Sequence, residues 1–237
     1  MKISVLIPSR QNPENLVAAV NSIMTTFSGK NDLEVLLLFD DDDKTHFQVK
    51  DYYAGNPLVK IYEAPSPGYW KLYDHLNFLG NKATGSVLFF LTDKCLLKTQ
   101  NWDVFFEPYD NKFWVSYPFV EWIDENGEMR IRPEMLFIIV PKMWYTALGK
   151  ISNTVHADSF VLNVMQGMSV LDPSASNVIH RCLNPCREVI VEHDRRKQSG
   201  VLKVGQSTYD KEEEKQQRWE ASKTIYAFLT NNPNVIP

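Results

Sequence analysis

Short apolar runs and amphipathic stretches alternate regularly along the first ninety residues. Ile3 to Ile7 is a β-branched run closed by Pro8-Ser9, the pattern of a buried strand. Asn12 can cap a helix that Pro13 opens, and Leu16, Val20, Ile23 and Met24 mark its apolar face. Val35 to Phe39 predicts a second buried strand, ending abruptly in Asp40-Asp41-Asp42-Asp43. A helix through Phe47 and Tyr52 leads to a third strand near Leu58 to Tyr62. A third helix is expected from Trp70 to Asn81, with Leu72, Leu76 and Leu79 at helical spacing and Gly80 or Gly85 near its end. Val87 to Leu91 predicts a fourth strand, stopping at Thr92-Asp93-Lys94. Strand and helix alternating at this spacing imply βαβ units and a parallel sheet.

The texture changes beyond residue 100. Phe113 to Tyr117 and Trp122, followed by Asp124-Glu125-Asn126-Gly127 and Met129 to Ile131, predict a hairpin around the Asn-Gly turn. Met135 to Val140 reads as another strand, Lys142 to Leu148 as a short helix, and His156 to Met168 as a helix with Phe160, Val164 and Met168 on one face. Val189 to Val191 is expected as a late strand. Tyr209 to Leu229 is expected as a charged helix packing through Trp219, Tyr226 and Leu229, with Lys211 to Arg218 as its solvated face.

At 237 residues, 44% of them hydrophobic and 12% aromatic, the chain can bury a full core and is not a disordered polymer. Lys and Arg number 25 against 29 Asp and Glu, a net charge of −4. That balance gives no support for a general nucleic-acid binder, whose footprint is a basic face. It excludes little about small anions, because a few local cations can hold a phosphate. Three cysteines are an odd count and not a disulfide framework, so a reducing compartment is expected. The opening apolar run is too short for a signal peptide, and no run approaches the roughly eighteen residues of a membrane helix. The expectation is a soluble, cytoplasmic protein.

In a parallel sheet, ligands bind beyond the carboxyl ends of the strands. Pro8-Ser9-Arg10, Asp40 to Asp43 and Thr92-Asp93-Lys94 all follow such strands, so three separate segments are expected around one crevice. Carboxylates there can accept hydrogen bonds from a base or ribose, or can bind a hard cation. Asp42 and Asp43 could equally be solvated loop charges, and Lys94 could face either a diphosphate or water. His180, Cys182, Cys186 and His193 could be arranged around zinc, but their spacing is loose. Trp114, Tyr117, Phe119 and Trp122 could stack on a sugar ring, though a half-buried hairpin uses the same residues as core. Neither a G-x-G-x-x-G nor a G-x-x-x-x-G-K-[ST] loop is present, which argues against dinucleotide and P-loop chemistry.

Taken in order, VLIPSR before a helix, VLLLFDDDD, and LGNKATG before VLFFLTDK resemble family 2-type glycosyltransferases with the GT-A fold. The matching parts are the Pro/Thr-x-x-Arg/Asn turn, the Asp-Asp pair, the small-residue A-x-G segment and the DXD-like element. The resemblance implies a Rossmann-like, mostly parallel α/β sheet flanked by helices, with a C-terminal acceptor-side half. It implies one domain over 1–237, divided into a nucleotide-binding half (1–100), an acceptor-side half (101–206) and a C-terminal helix (207–237).

Position by position, the resemblance implies that Pro8, Ser9 and Arg10 line the nucleotide pocket, with Asp40 and Asp41 on the base side and Asp41 pairing with the nucleobase. Lys71 falls on the nucleotide side. Thr92, Asp93 and Lys94 form the DXD-like element, with Asp93 near ribose and metal. Lys94 stands where the metal-binding aspartate is usual, which leaves dependence on Mn2+ or Mg2+ open; Asp93 and His193 are the candidate ligands. Asp158, in His156-Ala157-Asp158, would be the general base. Asp158 could equally be a first-turn carboxylate favoured by the helix dipole.

The activity so implied is inverting transfer of a sugar from a nucleoside-diphosphate donor, a UDP-sugar, to the hydroxyl of a saccharide or other acceptor. The leaving diphosphate needs positive charge, from a metal on Asp93 and His193 or from Lys94 with Arg10 or Lys71. Lys94 also motivates an alternative, a catalytically weak nucleotide-sugar binding module acting in an assembly. A nucleotidyltransferase would share the start of the fold, but PSRQNPEN is not a Gly-rich, basic phosphate loop.

Overall fold

A computed structural model describes residues 1–68, 71–124, 126–133, 137–154, 157–173, 178, 181–183, 186–193 and 212–237; within these the Asp158 side chain is not described. Five strands make the main sheet: β1 (Lys2–Ser9), β2 (Asp32–Asp40), β3 (Val59–Ala64), β4 (Val87–Phe90) and a short strand Ile139–Pro141. Three residues, Cys95–Leu97, form β5, and a 3-10 helix follows over Trp102–Tyr109. Next come β6 (Pro118–Ile123) and β7 (Met129–Pro133), so that Ile139–Pro141 is β8 and Cys186–His193 is β9. The helices are α1 (Pro13–Thr26), α2 (His46–Tyr52), α3 (Leu72–Lys82), α4 (Lys142–Leu148), α5 (Ala157–Leu171) and α6 (Glu212–Asn231).

The main sheet has the order β3-β2-β1-β4-β8, parallel except for the antiparallel β4–β8 pair. Strands β1, β2, β4 and β8 are buried on both faces, which explains their apolar runs, whereas the edge strand β3 is half-buried. Ile3, Val5, Ile7, Val35, Leu37 and Phe39 face α1 and α2, while Leu6, Leu36, Leu38 and Leu88 face α3 to α6. This period of two divides each strand between the two layers of core. The order also reverses at β1: the chain runs outward through β2 and β3, then returns to β4 on the other side. Such a switch point opens a crevice at the strand ends.

A second sheet, β5-β9-β6-β7, lies after it. The expected hairpin is β6–β7, closed by the Asp124 N–H to Glu128 carbonyl bond of 2.9 Å, with Gly127 at φ 80° as the turn requires. Of the strand expected at Phe113 to Tyr117, only single bridges form, Val115 with Leu183 and Ser116 with Ile139; the continuous strand begins at Pro118. Trp114 is instead core, stacked on Tyr109 at 4.2 Å between ring centres, so the core reading holds for that residue.

Other expectations shift by a turn or less. The third helix starts at Leu72, Trp70 lying outside the described residues, and the α5 and α6 starts at His156 and Tyr209 also lie outside them. The stripe that α6 buries is Ala221, Ser222, Ile225 and Leu229, not one through Trp219. Ser222 sets this register: its hydroxyl donates to the Val164 carbonyl at 3.0 Å, across the line where α6 meets α5. A Cβ on Gly167 would stand 2.3 Å from that hydroxyl, so only glycine lets the helices approach so closely.

The A-x-G segment turns out to be packing. Ala83 is buried, and a Cβ on Gly85 would come within 2.8 Å of the Lys2 carbonyl oxygen and the Ser4 nitrogen. Glycine there lets the start of β4 lie against β1.

Candidate functional site

The parallel register builds the site. Ser9 pairs with Phe39, so Arg10 emerges beside Asp40; Leu6 pairs with Phe90, so three residues further on Ser9 meets Asp93. Both contacts form. The Ser9 hydroxyl donates to Asp93 Oδ2 at 2.7 Å, and the Arg10 guanidinium donates to Asp40 Oδ2. The three polar segments at the ends of β1, β2 and β4 thus meet at one edge of the sheet.

The four aspartates, alike in sequence, have four different surroundings. Asp40 is buried: Oδ2 accepts from Arg10 and, at 3.0 Å, from the Ser66 hydroxyl, while Oδ1 lies 3.3 Å from Nε2 of buried His75 without hydrogen-bond geometry. Asp42 takes the Arg10 guanidinium edge-on through two bonds, 2.7 and 2.9 Å, which hold its carboxyl below the usual range. The same pair raises the arginine above its ordinary value.

Asp43 is not a solvated loop charge. It is 1% exposed and accepts the Gln11 N–H at 2.6 Å, the Thr45 N–H at 2.9 Å and the Thr45 hydroxyl at 2.7 Å. Burial pushes its carboxyl up, but these bonds outweigh burial and the net shift is downward. They also hold Gln11 in the left-handed region, at φ 53°, where a non-glycine residue is uncommon. Asp41 alone of the four is exposed with no side-chain hydrogen bond among the described residues; its N–H bonds the Ala64 carbonyl at 2.9 Å.

Burial raises Asp93 above the usual carboxylate range, opposed by the Ser9 hydroxyl and the neighbouring Lys94 charge. The turn after β4 is closed by Thr92, whose hydroxyl lies 3.1 Å from the Cys95 thiol and 3.5 Å from the Lys94 N–H. Lys94 is half-buried, and among the described residues no ion pair or hydrogen bond engages its ammonium. His193 is buried on β9 opposite Cys95, so sheet register brings it to the same turn, with the Phe137 ring edge-on at 5.6 Å.

The remaining candidates are more peripheral. Pro8 is half-buried at the end of β1, and Lys71 is exposed just before α3, its N–H bonded to Gly68 at 3.1 Å. Asp158 is the second residue of α5, and its side chain lies outside the described residues. His180 of the zinc alternative also lies outside them. Cys182 and Cys186 are buried free thiols, both pushed up to about 12 by burial, and among the described residues no three His, Cys, Asp or Glu side chains gather for a metal. His75 and Ser66 were not foreseen. Neither carries a local signal, since their role arises only where α3 and the loop after β3 reach the end of β2.

No protein-family model matches the chain, and no curated protein does. Solved structures do. The S. aureus TarS fragment 1–349 in complex with UDP superposes with a TM-score of 0.62 at 10% identity, over 82% of this chain and 60% of that one. GalNAc-T7 with UDP, GalNAc and Mn2+ gives 0.59 at 16% identity, over 82% of this chain and 44% of that one. A further structure of S. aureus TarS gives 0.55 at 12% identity, over 76% and 42%. The chain thus spans about half the length of the proteins it resembles. Among the described residues no helix is long and apolar enough to cross a membrane. Sheet order and helical layers, with these superpositions, give this chain the α/β fold of the GT-A glycosyltransferases.

Proposed function

We propose that the protein is a glycosyltransferase that takes a sugar from a UDP-sugar and delivers it, with inversion, to an acceptor hydroxyl. The observation that carries this reading is the joining of three strand ends by Ser9–Asp93 and Arg10–Asp40, on a fold shared with UDP-bound structures. Asp40, Asp42 and Asp43 hold the Arg10-Gln11 loop in place. That leaves the exposed carboxylate of Asp41 to accept the N3–H of uracil. Asp93 faces the ribose side. Asp158, in the first turn of α5, takes the acceptor proton as the acceptor oxygen attacks the anomeric carbon. The same reading sets the protein in a reducing, cytoplasmic compartment.

The described donor set does not fit a divalent cation. Asp93 has one oxygen bonded by Ser9, and among the described residues no three His, Cys, Asp or Glu side chains gather for a metal. The next residue is an ammonium where a second carboxylate would be needed.

The test is UDP release from a set of UDP-sugars, beside calorimetric binding of UDP, GDP, CDP and dTDP. Turnover that Asp158→Asn abolishes while UDP binding persists is the expected result. Tight binding of a UDP-sugar with no turnover would instead indicate a nucleotide-sugar binding module. Failure of all four nucleotides to bind would overturn both.

A further inference from the structure

We infer that Lys94 supplies the positive charge that stabilises the leaving diphosphate, in place of a divalent cation. The inference rests on the glycosyltransferase reading and adds to it the source of electrostatic stabilisation.

Among the described residues the crevice has few other candidates. Arg10 carries a full charge but lies between two carboxylates, Asp40 and Asp42, so its edge is occupied and its field largely cancelled nearby. Lys71 is exposed just before α3, where a charge is screened and held loosely. Lys94 differs from both. It is half-buried on a short turn fixed at three points: Asp93 by Ser9, Thr92 by Cys95, and Cys95 by its pairing with His193 on β9. A lysine carried on a braced, partly buried turn and not taken up by another carboxylate is available to a developing anion, and that turn needs little reorganisation during reaction. A metal would meet this ammonium as a like charge.

The step balances without a co-reactant. The acceptor oxygen forms a bond to the anomeric carbon as its proton passes to Asp158. The bond from that carbon to the β-phosphate oxygen breaks, and its electron pair stays on the oxygen. The added negative charge on the departing UDP is what Lys94 meets.

The experiment measures binding of UDP and of uridine by calorimetry, in EDTA and in Mn2+, alongside UDP release from UDP-sugars. Wild type, Lys94→Met, Lys94→Arg and Lys94→Asp are compared. The wild type is expected to bind UDP equally in EDTA and Mn2+ and to turn over in both. Lys94→Met should lose about tenfold or more in UDP affinity with uridine binding unchanged, and on the order of a hundredfold in turnover. Lys94→Arg, which keeps the charge, should retain most of the affinity and guards against a folding artefact. Lys94→Asp should bind UDP only with Mn2+, because it restores a second carboxylate. Loss of wild-type UDP affinity in EDTA, restored by Mn2+, would overturn the inference. So would Lys94→Met binding UDP as tightly as wild type. If the wild type binds neither UDP nor uridine under either condition, the nucleotide-sugar reading itself falls, and this inference with it.

Discussion

The two ends of the main sheet both bury a carboxylate beside cations, yet they are built to opposite ends. At the amino end of β2, Glu34 is 2% exposed and its carboxylate is fully engaged. It accepts from the Ser4 hydroxyl at 2.6 Å, the Thr84 N–H at 2.6 Å and the Lys60 ammonium at 2.7 Å, with Lys2 at 3.4 Å. Burial pushes this carboxyl up, but these partners outweigh it and bring it down to about 2. At the carboxyl end, Asp93 has one serine bond and burial wins, so its shift is upward. Asp40 keeps an oxygen without a hydrogen bond, and Asp41 stays in water. A closed, satisfied carboxylate ties β1, β2 and β3 to the segment that leads into β4. Incompletely satisfied carboxylates at the other end are what a ligand can complete.

The sharpest way to break this contrast is at Glu34. Glu34→Ala leaves the Ser4 hydroxyl and the Thr84 N–H without their acceptor and should cost about 3 kcal/mol, read by denaturant unfolding. Next is Gly85→Ala beside it, where the new methyl group meets backbone within 2.8 Å. That should cost about 2 kcal/mol, seen as a lower melting temperature with no selective effect on nucleotide affinity in the folded protein. Asp41→Asn should do the reverse, weakening UDP binding about tenfold while melting stays unchanged, because an exposed carboxylate is lost.

The smallest effect is in pH, and its sign differs between the ends. The Glu34 carboxyl is lowered from 4.5 to about 2, so its stabilisation is complete above the unfolded value and is lost as pH falls toward 2. Asp93 is raised above 3.8, so its contribution is present below that value and is lost as pH rises through its folded pKa. Unfolding free energy measured from pH 2 to 7 should therefore change slope in opposite directions in Glu34→Gln and Asp93→Asn. Slopes of the same sign would contradict the contrast.

How much of this could be read along the chain differs from residue to residue. The buried strands and helices were visible because an unbroken apolar run and a period of 3.6 are properties of neighbours. So was the gathering of three polar segments, since parallel strands all deliver their carboxyl ends to one edge. Asp43 was harder, because nothing local separates a carboxylate that clasps Gln11 from one in water. Glu34 gave no signal at all: its partners Ser4, Lys60 and Thr84 lie 30, 26 and 50 residues away. Cys95–Leu97 is too short to show periodicity, and it is a strand only because β9 pairs with it.

The sequence by itself determined the alternation of elements, and with it the parallel sheet and the edge where the polar residues collect. Tertiary structure alone decided what each carboxylate does. Register set Ser9 against Asp93 and Arg10 against Asp40, and burial then shifted Asp93 upward while the bonds of the Asp-rich loop held Asp42 and Asp43 down. The reason is physical. Periodicity is written in residues a few positions apart, whereas a charge takes its character from groups that only the fold brings near.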